Sequence, residues 1–317
     1  MDKYHLVIDC SYWQQALGFG EFKEYVEGII PRSTYGTWKD LKFREHVKEA
    51  VDFGYDHIAT FAWFRPMQDV KAQISAVRAQ LEDTPVNFVL ADIEESSRLS
   101  GDMFPRYSPD QLNDLVWQFV SGLETLGVNV GIYTRSTWVD SYCPKLVTWM
   151  YRYPVWLASY PFAKGRLYMS WRQMLDNYAP KTFSPYYVKT WGFPKTDTDA
   201  WQFSGDKFVL PGIYQSESRT TLTPIDLDFV SDRFFTLMTI RDTDVPIPDP
   251  ISYIKYRCMA AWGMKIRVAP RADAVDTGLR ISYMREFKVY EETKADGYTW
   301  GRIDTNQWTA LNWSVKI

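Results

Sequence analysis

The feature that most constrains this chain is an apolar stretch that ends in acids, Val86 to Ser96, VNFVLADIEES. Phe88, Val89, Leu90, Ala91 and Ile93 read as a strand buried on both faces. It delivers Asp92 and Glu94 at its far end. Residues two apart in a strand share a face, so these carboxylates project together, with Cα atoms roughly 6.5 to 7 Å apart. Like charges at the mouth of an apolar strand are costly unless chemistry uses them. A protonated acid beside an ionised partner is the arrangement that cleaves glycosidic bonds. The bland alternative is a strand end emerging into solvent.

The pattern recurs. YHLVIDC (4–10) ends near Asp9 and is followed by Tyr12 and Trp13, and IDLDFV (225–230) carries Asp226 and Asp228. Further strands are read at YVEGIIPRSTYG, HIATFAWF (57–64), NVGIYTR (129–135), PVWLASY (154–160) and WQFS (201–204). The first of these runs is expected to stop near Arg32 and Ser33, because Pro31 suits a strand end. Helical spacing runs from Trp38 to Gly54 through Phe43, Val47, Ala50 and Val51, and from Gln68 to Asp83 through Val70, Ile74, Val77 and Leu81. Ser108-Pro109-Asp110-Gln111 combines an N-cap, a proline at the first helical position and a capping-box glutamine. Leu112, Leu115, Val116, Phe119, Leu123 and Leu126 follow as a buried stripe that Gly127 ends.

Strands alternating with helices imply parallel pairing. Acids at strand ends favour an α/β fold of the TIM type, an irregular (β/α) barrel with its site at the carboxyl rim. An open nucleotide-binding sheet would want a third glycine after Gly18 and Gly20, and none follows at that spacing.

From Ile240 the character changes. RDTDVPIPDP is a linker signature, and the expected division is a catalytic domain over 1–239, a linker over 240–254 and a tail over 255–317. The tail holds short alternating segments punctuated by Gly278 and Gly297, and reads as a small all-β, SH3-like barrel. It carries eleven Lys and Arg against seven Asp and Glu, whereas the whole chain stands at −3.

That near-neutral balance gives no argument for nucleic acid as a partner. Cys10, Cys143 and Cys258 are odd in number and widely spaced, which argues against a disulfide scaffold and a zinc site. The start, MDKYHLVIDCSYW, lacks the apolar run of a signal peptide, and no stretch reaches membrane-spanning length. The expectation is a chain made in the cytoplasm without membrane insertion. His5, His46 and His57 fall on strand and helix positions away from the acids, where structural roles are expected.

Taken together, VIDCSYWQ, RSTYGTWKDLKFREHVKEAVDFG, ATFAWFRP, VLADIEES, VGIYTRSTW, VWLASY, WQFS and IDLDF resemble the family 25 glycoside hydrolases, the Chalaropsis-type muramidases, over residues 1 to about 235. The tail, MKIRVAPRADAVDTGLRI with FKVYEE, DGYTWGRI and WTALNW, resembles a bacterial SH3 (SH3b) wall-binding domain. The combination looks like a phage or prophage endolysin. The resemblance implies a lysozyme that cuts the β-1,4 bond between N-acetylmuramic acid and N-acetylglucosamine with retention, without a cofactor. It also implies synthesis in the host cytoplasm, release with the help of a holin, and action on the wall of Gram-positive cells.

Carried over by position, the family's D-x-E motif falls on Asp92 and Glu94, with Glu94 as general acid. Asp9 matches the acid of the first strand, and Asp226 the acid of a D-x-N motif whose asparagine is Asp228 here. Phe61 stands where many relatives have tyrosine, Ala62 where histidine is common, and Pro31 where relatives have small residues. Asp9, Asp92 and Asp226 would surround Glu94 with negative charge and raise its pKa. Glu94 would then protonate the leaving oxygen while the aspartates favour an oxocarbenium-like transition state. A covalent aspartyl sugar and assistance by the substrate's 2-acetamido group, oriented by Asp92, both remain open.

Trp63, Tyr133, Trp138, Trp156, Tyr160 and Trp201 sit at or beyond strand ends and could stack sugar faces or fill the core. In the tail, Tyr298, Trp300 and Trp308 are the candidates for gripping stem or cross-bridge peptide. Two other readings compete. The acids could hold a divalent metal as hard oxygen ligands, or the barrel could be a non-catalytic virion or wall-binding protein.

Overall fold

The structure, a computed structural model, describes residues 4–94, 107–183, 198–241, 254–304 and 307–317. The chain divides into two compact units, residues 1–247 and 248–317. Most of the expected linker lies outside the described residues.

Among the described residues, eight strands build the barrel of the first unit: β1 (Tyr4–Cys10), β2 (Gly28–Tyr35), β3 (Thr60–Trp63), β4 (Phe88–Asp92), β5 (Asn129–Thr134), β6 (Val155–Ala158), β7 (Ala200–Tyr214) and β8 (Leu222–Ser231). β1 to β7 pair parallel in chain order. β8 runs antiparallel to both β7 and β1 and closes the barrel. The TIM-like barrel read from the sequence is therefore present, but its last strand is reversed. Gln215–Thr221, the link from β7 to β8, is too short for the helical crossover that a parallel strand needs. WQFS is the start of a fifteen-residue strand rather than a short one.

Pro31 is a second departure, since β2 continues past it to Tyr35. Pairing with β1 ends at Cys10 opposite Pro31, and pairing with β3 begins at Arg32 opposite Phe61. The residue without an N–H thus stands where one ladder hands over to the next.

The longer helices among the described residues are α1 (Phe43–Asp52), α2 (Val70–Leu81), α3 (Pro109–Glu124), α4 (Ser136–Tyr142), α5 (Trp171–Asn177) and α6 (Asp232–Leu237). α1 starts later than its pattern suggested, because Trp38 and Lys39 pair back on the end of β2 as a short strand. α3 begins as expected: Ser108 and Gln111 form the reciprocal capping box with Pro109 inside it. Gly127 follows the helix at φ +70°, a conformation glycine adopts without Cβ strain.

The period of two along each strand sorts the core into two layers. Outward residues such as Ile8, Ile29, Val89, Val130 and Ile132 pack with Val77, Leu81, Val116 and Phe119 of the helices. Inward residues Val7, Ile30, Phe61, Phe88, Leu90, Tyr133 and Trp156 fill the lumen, and Phe234 and Met238 stopper its lower end. Ala62 faces the helical layer. All three cysteines are buried and free. Among the described residues, no helix is long and apolar enough to cross a membrane.

The second unit is all-β. Its strands are β9 (Ile254–Cys258), β10 (Met264–Arg267), β11 (Asp276–Ile281), β12 (Glu286–Val289), β13 (Glu291–Ala295), β14 (Tyr298–Asp304), β15 (Gln307–Ala310) and β16 (Ser314–Lys316). They form antiparallel sheets ordered β12-β9-β16 and β11-β10-β15-β14-β13. Small clusters around Met264, Ile266 and Ile281 and around Tyr256, Val289 and Leu311 hold them together. Trp300 belongs to this interior, only 3% exposed, with its indole N–H on the Ala295 carbonyl. It therefore does not line a surface groove as expected. Trp308 is half-buried, and Tyr298 lies 5.6 Å from the exposed ring of Trp313.

Candidate active site

The inward rows of β1, β4 and β8 converge at one rim of the barrel. Asp9 lies near the end of β1, Asp92 ends β4, and Glu94 is two residues beyond on the same side. Because β8 runs backwards, its early residues reach the rim where the parallel strands end. Asp226 thus pairs with Asp9, and Asp228 pairs with Gln202. Asp92 lies between Trp63 of β3 and Tyr133 of β5.

A hydrogen-bonded chain joins these groups. The Tyr133 and Tyr160 hydroxyls donate to Gln202 Oε1 at 2.8 and 2.5 Å. The Gln202 amide donates to Asp9 Oδ2 at 2.7 Å. The Trp156 indole donates to Asp228 Oδ1 at 2.8 Å. Asp206 donates its backbone N–H to Asp226 Oδ1 at 2.7 Å. It does so from a left-handed conformation, φ 55°, in an irregular stretch of β7. Gly205 beside it leaves room for Tyr160, since a Cβ there would stand 2.8 Å from the phenol ring.

Burial and charge are distributed differently from the sequence expectation, which gave the raised pKa to Glu94 and the negative charge to the aspartates around it. Asp228 is fully buried, Asp92 is 2% exposed and Asp9 6%, whereas the Glu94 side chain is 17% exposed. Burial pushes the Asp9 carboxyl up to about 6, against the pull of its hydrogen bonds with Gln202 and Asp228. Burial first, then the charge of Asp9, lifts Asp226 and Asp228 well above the carboxylate range. Asp9 and Asp226, expected to be ionised, are themselves reluctant to lose protons. Burial also raises Tyr133, which stays a neutral donor. Arg135, which the sequence reading passed over, brings Nε to 3.9 Å from Glu94 Oε2.

The aromatic candidates divide. Trp63 is partly exposed at the rim and packs 5.4 Å from Tyr35, and Tyr160 is 51% exposed above Gln202. Tyr133 and Trp156 are buried in the lumen, where their polar ends donate to Gln202 and Asp228. Trp138 and Trp201 do not reach the mouth: both lie between barrel and helices, and Trp201 donates to the Ser159 carbonyl. Phe61 stands edge-on to Trp156 at 6.3 Å, so no hydroxyl enters the network there.

The sequence reading also missed a row of rings beyond β1 and β2. Arg65 lies over Tyr35 and Trp38, and Arg32 over Tyr12 and Tyr35. Trp13 and Trp38 are more than half exposed. The visible signal was Tyr12 and Trp13 directly after an acid-bearing strand. On the other side, Tyr160, Phe162, Lys164, Phe203, Asp206 and Lys207 line a cleft of about 290 Å³. Among the described residues, no three side chains of metal-ligating type gather as a metal site.

These features bear comparison with known proteins. The profile of Glycosyl hydrolases family 25 matches residues 8–212. No curated protein matches the chain. Among solved structures, the bacterial lysozyme from Streptomyces coelicolor is similar at 18% identity and TM-score 0.56, covering 75% of this chain and 97% of that one. The muramidase from Acremonium alcalophilum follows at 19% and 0.53, covering 74% and 99%. The catalytic domain of endolysin Ply40 from bacteriophage P40 of Listeria monocytogenes gives 21% and 0.50, covering 75% and 98%. At such identities the likeness is one of fold.

Proposed function

We propose, from the premise that this chain belongs to glycosyl hydrolase family 25, that it is a lysozyme of the muramidase type acting on bacterial peptidoglycan. The observation that carries this reading is the placement of Glu94 at an open rim, on the same side as Asp92 and within electrostatic reach of Asp226. Glu94, just beyond the end of β4, is more accessible than Asp92 and donates its proton to the oxygen between N-acetylmuramic acid and N-acetylglucosamine. Asp9 and Asp226 face the sugar ring as charge develops on it. In this reading Asp92 orients the 2-acetamido group or attacks the anomeric carbon, and either route gives retention. Trp63 and Tyr160 flank the acids as stacking surfaces.

The second unit is read as an SH3b-type module for cross-bridge or stem peptide, with Tyr298 and Trp313 as the aromatic contact in place of Trp300. The chain is further read as a phage endolysin. It is made in the host cytoplasm, reaches the wall through a holin lesion and lyses Gram-positive cells.

The test is digestion of purified Gram-positive walls by the wild type and by Glu94→Gln, with the new reducing sugar identified by mass spectrometry. Muramic acid at the new reducing end, released by the wild type alone, is the expected result. Release of no sugar by either protein would favour a non-catalytic binder, and glucosamine at the new end would make it a glucosaminidase.

A further inference from the structure

Asp228 is the acid whose role the hydrolytic scheme leaves unassigned. Its carboxyl is fully buried in the lumen. Oδ1 accepts the Trp156 N–H, while Oδ2 receives no donor. Asp9 commits Oδ2 to the Gln202 amide, and Gln202 is the backbone partner of Asp228 across β7 and β8. One glutamine therefore brings the two acids together, and their carboxyls lie within hydrogen-bonding reach.

The surroundings offer little to neutralise the pair. Asp226 is on the same strand, Asp206 and Glu94 lie next to it, and Tyr133, Tyr160 and Trp156 are neutral. Among the described cations nearby, Arg135 is beside Glu94 and Arg32 is paired with Asp40. Two buried carboxyls in contact without a cation are stable only with a proton between them. Asp228 lies deeper than Asp9 and is pushed well above the carboxylate range, whereas Asp9 is pushed only to about 6.

We propose that Asp228 keeps its proton at neutral pH and donates it to Asp9, acting as a positioning residue that holds Asp9 ionised and directed at the rim. A carboxylic acid here does with its O–H what an amide would do with its N–H. The inference concerns the same site as the proposed hydrolase, but protonation can be read whatever the substrate.

The experiment compares the full chain with Asp228→Asn and Asp228→Ala. At pH 7 the wild type should show the infrared carbonyl band of an un-ionised carboxylic acid, absent from Asp228→Asn. The thermal midpoint of Asp228→Asn should exceed that of the wild type by a margin that widens from pH 4 to pH 8, reaching roughly 5 °C. The widening follows because only the wild type must hold a proton that its unfolded chain would release. With peptidoglycan, Asp228→Ala should lower kcat about tenfold with little change in KM, and Asp228→Asn should restore most of it. A margin independent of pH, or an unchanged infrared band, would show Asp228 ionised and overturn the proposal. Equal loss of kcat in both variants would overturn the positioning role even if the proton is found.

Discussion

The mouth and the floor of the barrel are made from the same inward rows yet solve opposite problems. On β1 the row reads His5, Val7, Asp9; on β4 it reads Phe88, Leu90, Asp92; on β8, from the floor upward, Val230, Asp228, Asp226. At the floor each polar group meets its complement. His5 lies 2.9 Å from both Glu27 and Asp232 and stacks on Phe235, while Phe88 meets Phe234 edge-on at 4.9 Å. At the mouth, acids face acids, and the hydrogen bonds that hold them come mainly from neutral donors. Four residues along one row thus separate packing from chemistry, and the contrast predicts which substitutions affect activity and which affect folding.

The largest effect belongs to the mouth. Glu94→Gln should lower kcat by roughly 10²- to 10⁴-fold with little change in thermal midpoint, checked by reducing-sugar release and calorimetry. A large loss of stability instead would erase the distinction. At the floor, Phe234→Ala should cost about 3–5 kcal/mol in denaturant unfolding, while the folded fraction keeps its kcat at low temperature.

Smaller changes sharpen the contrast within the mouth. Gln202→Leu removes the donor that favours ionised Asp9, so the acid limb of kcat/KM, expected near pH 6 in the wild type from the Asp9 carboxyl, should move upward. A fixed limb would separate Asp9 from catalysis. The sign for stability is the reverse of the usual carboxylate. Asp9 takes up its proton at about 6 in the folded chain and at about 3.9 unfolded. Its stabilising share is therefore full below about pH 4 and lost as pH rises through about 6. The smallest effect is the split between two tryptophans. Trp63→Ala should raise KM a few-fold with stability nearly intact, whereas Trp201→Ala, in the helical layer, should lower the thermal midpoint and leave KM alone.

Much of this was legible in the chain. The acid-ended strands, the alternation with helices and the α3 capping box rest on local periodicity and local hydrogen bonds, so residues near in sequence suffice. The direction of β8 did not follow, because barrel closure sets it. The faces of Trp156 and Trp201 did not follow either: Trp156 points into the lumen and Trp201 away from it. A hydrophobic run covered on both sides carries no mark of which side is inner. In WQFS the one available signal was Gln202, the polar residue that turned out to face the acids.

The amino-acid sequence by itself determined the repertoire: which strands carry acids, that a barrel of alternating strands and helices would present them at one end, and the family to which the chain belongs. Tertiary structure decided how protons are shared among those acids. Burial, donors and neighbouring charges set a carboxyl's affinity for its proton, and at Asp9 they come from Gln202, Asp228 and Asp206, 193 to 219 positions away in the chain. Strand pairing and closure bring them to that spot, and no local pattern in the chain records the meeting.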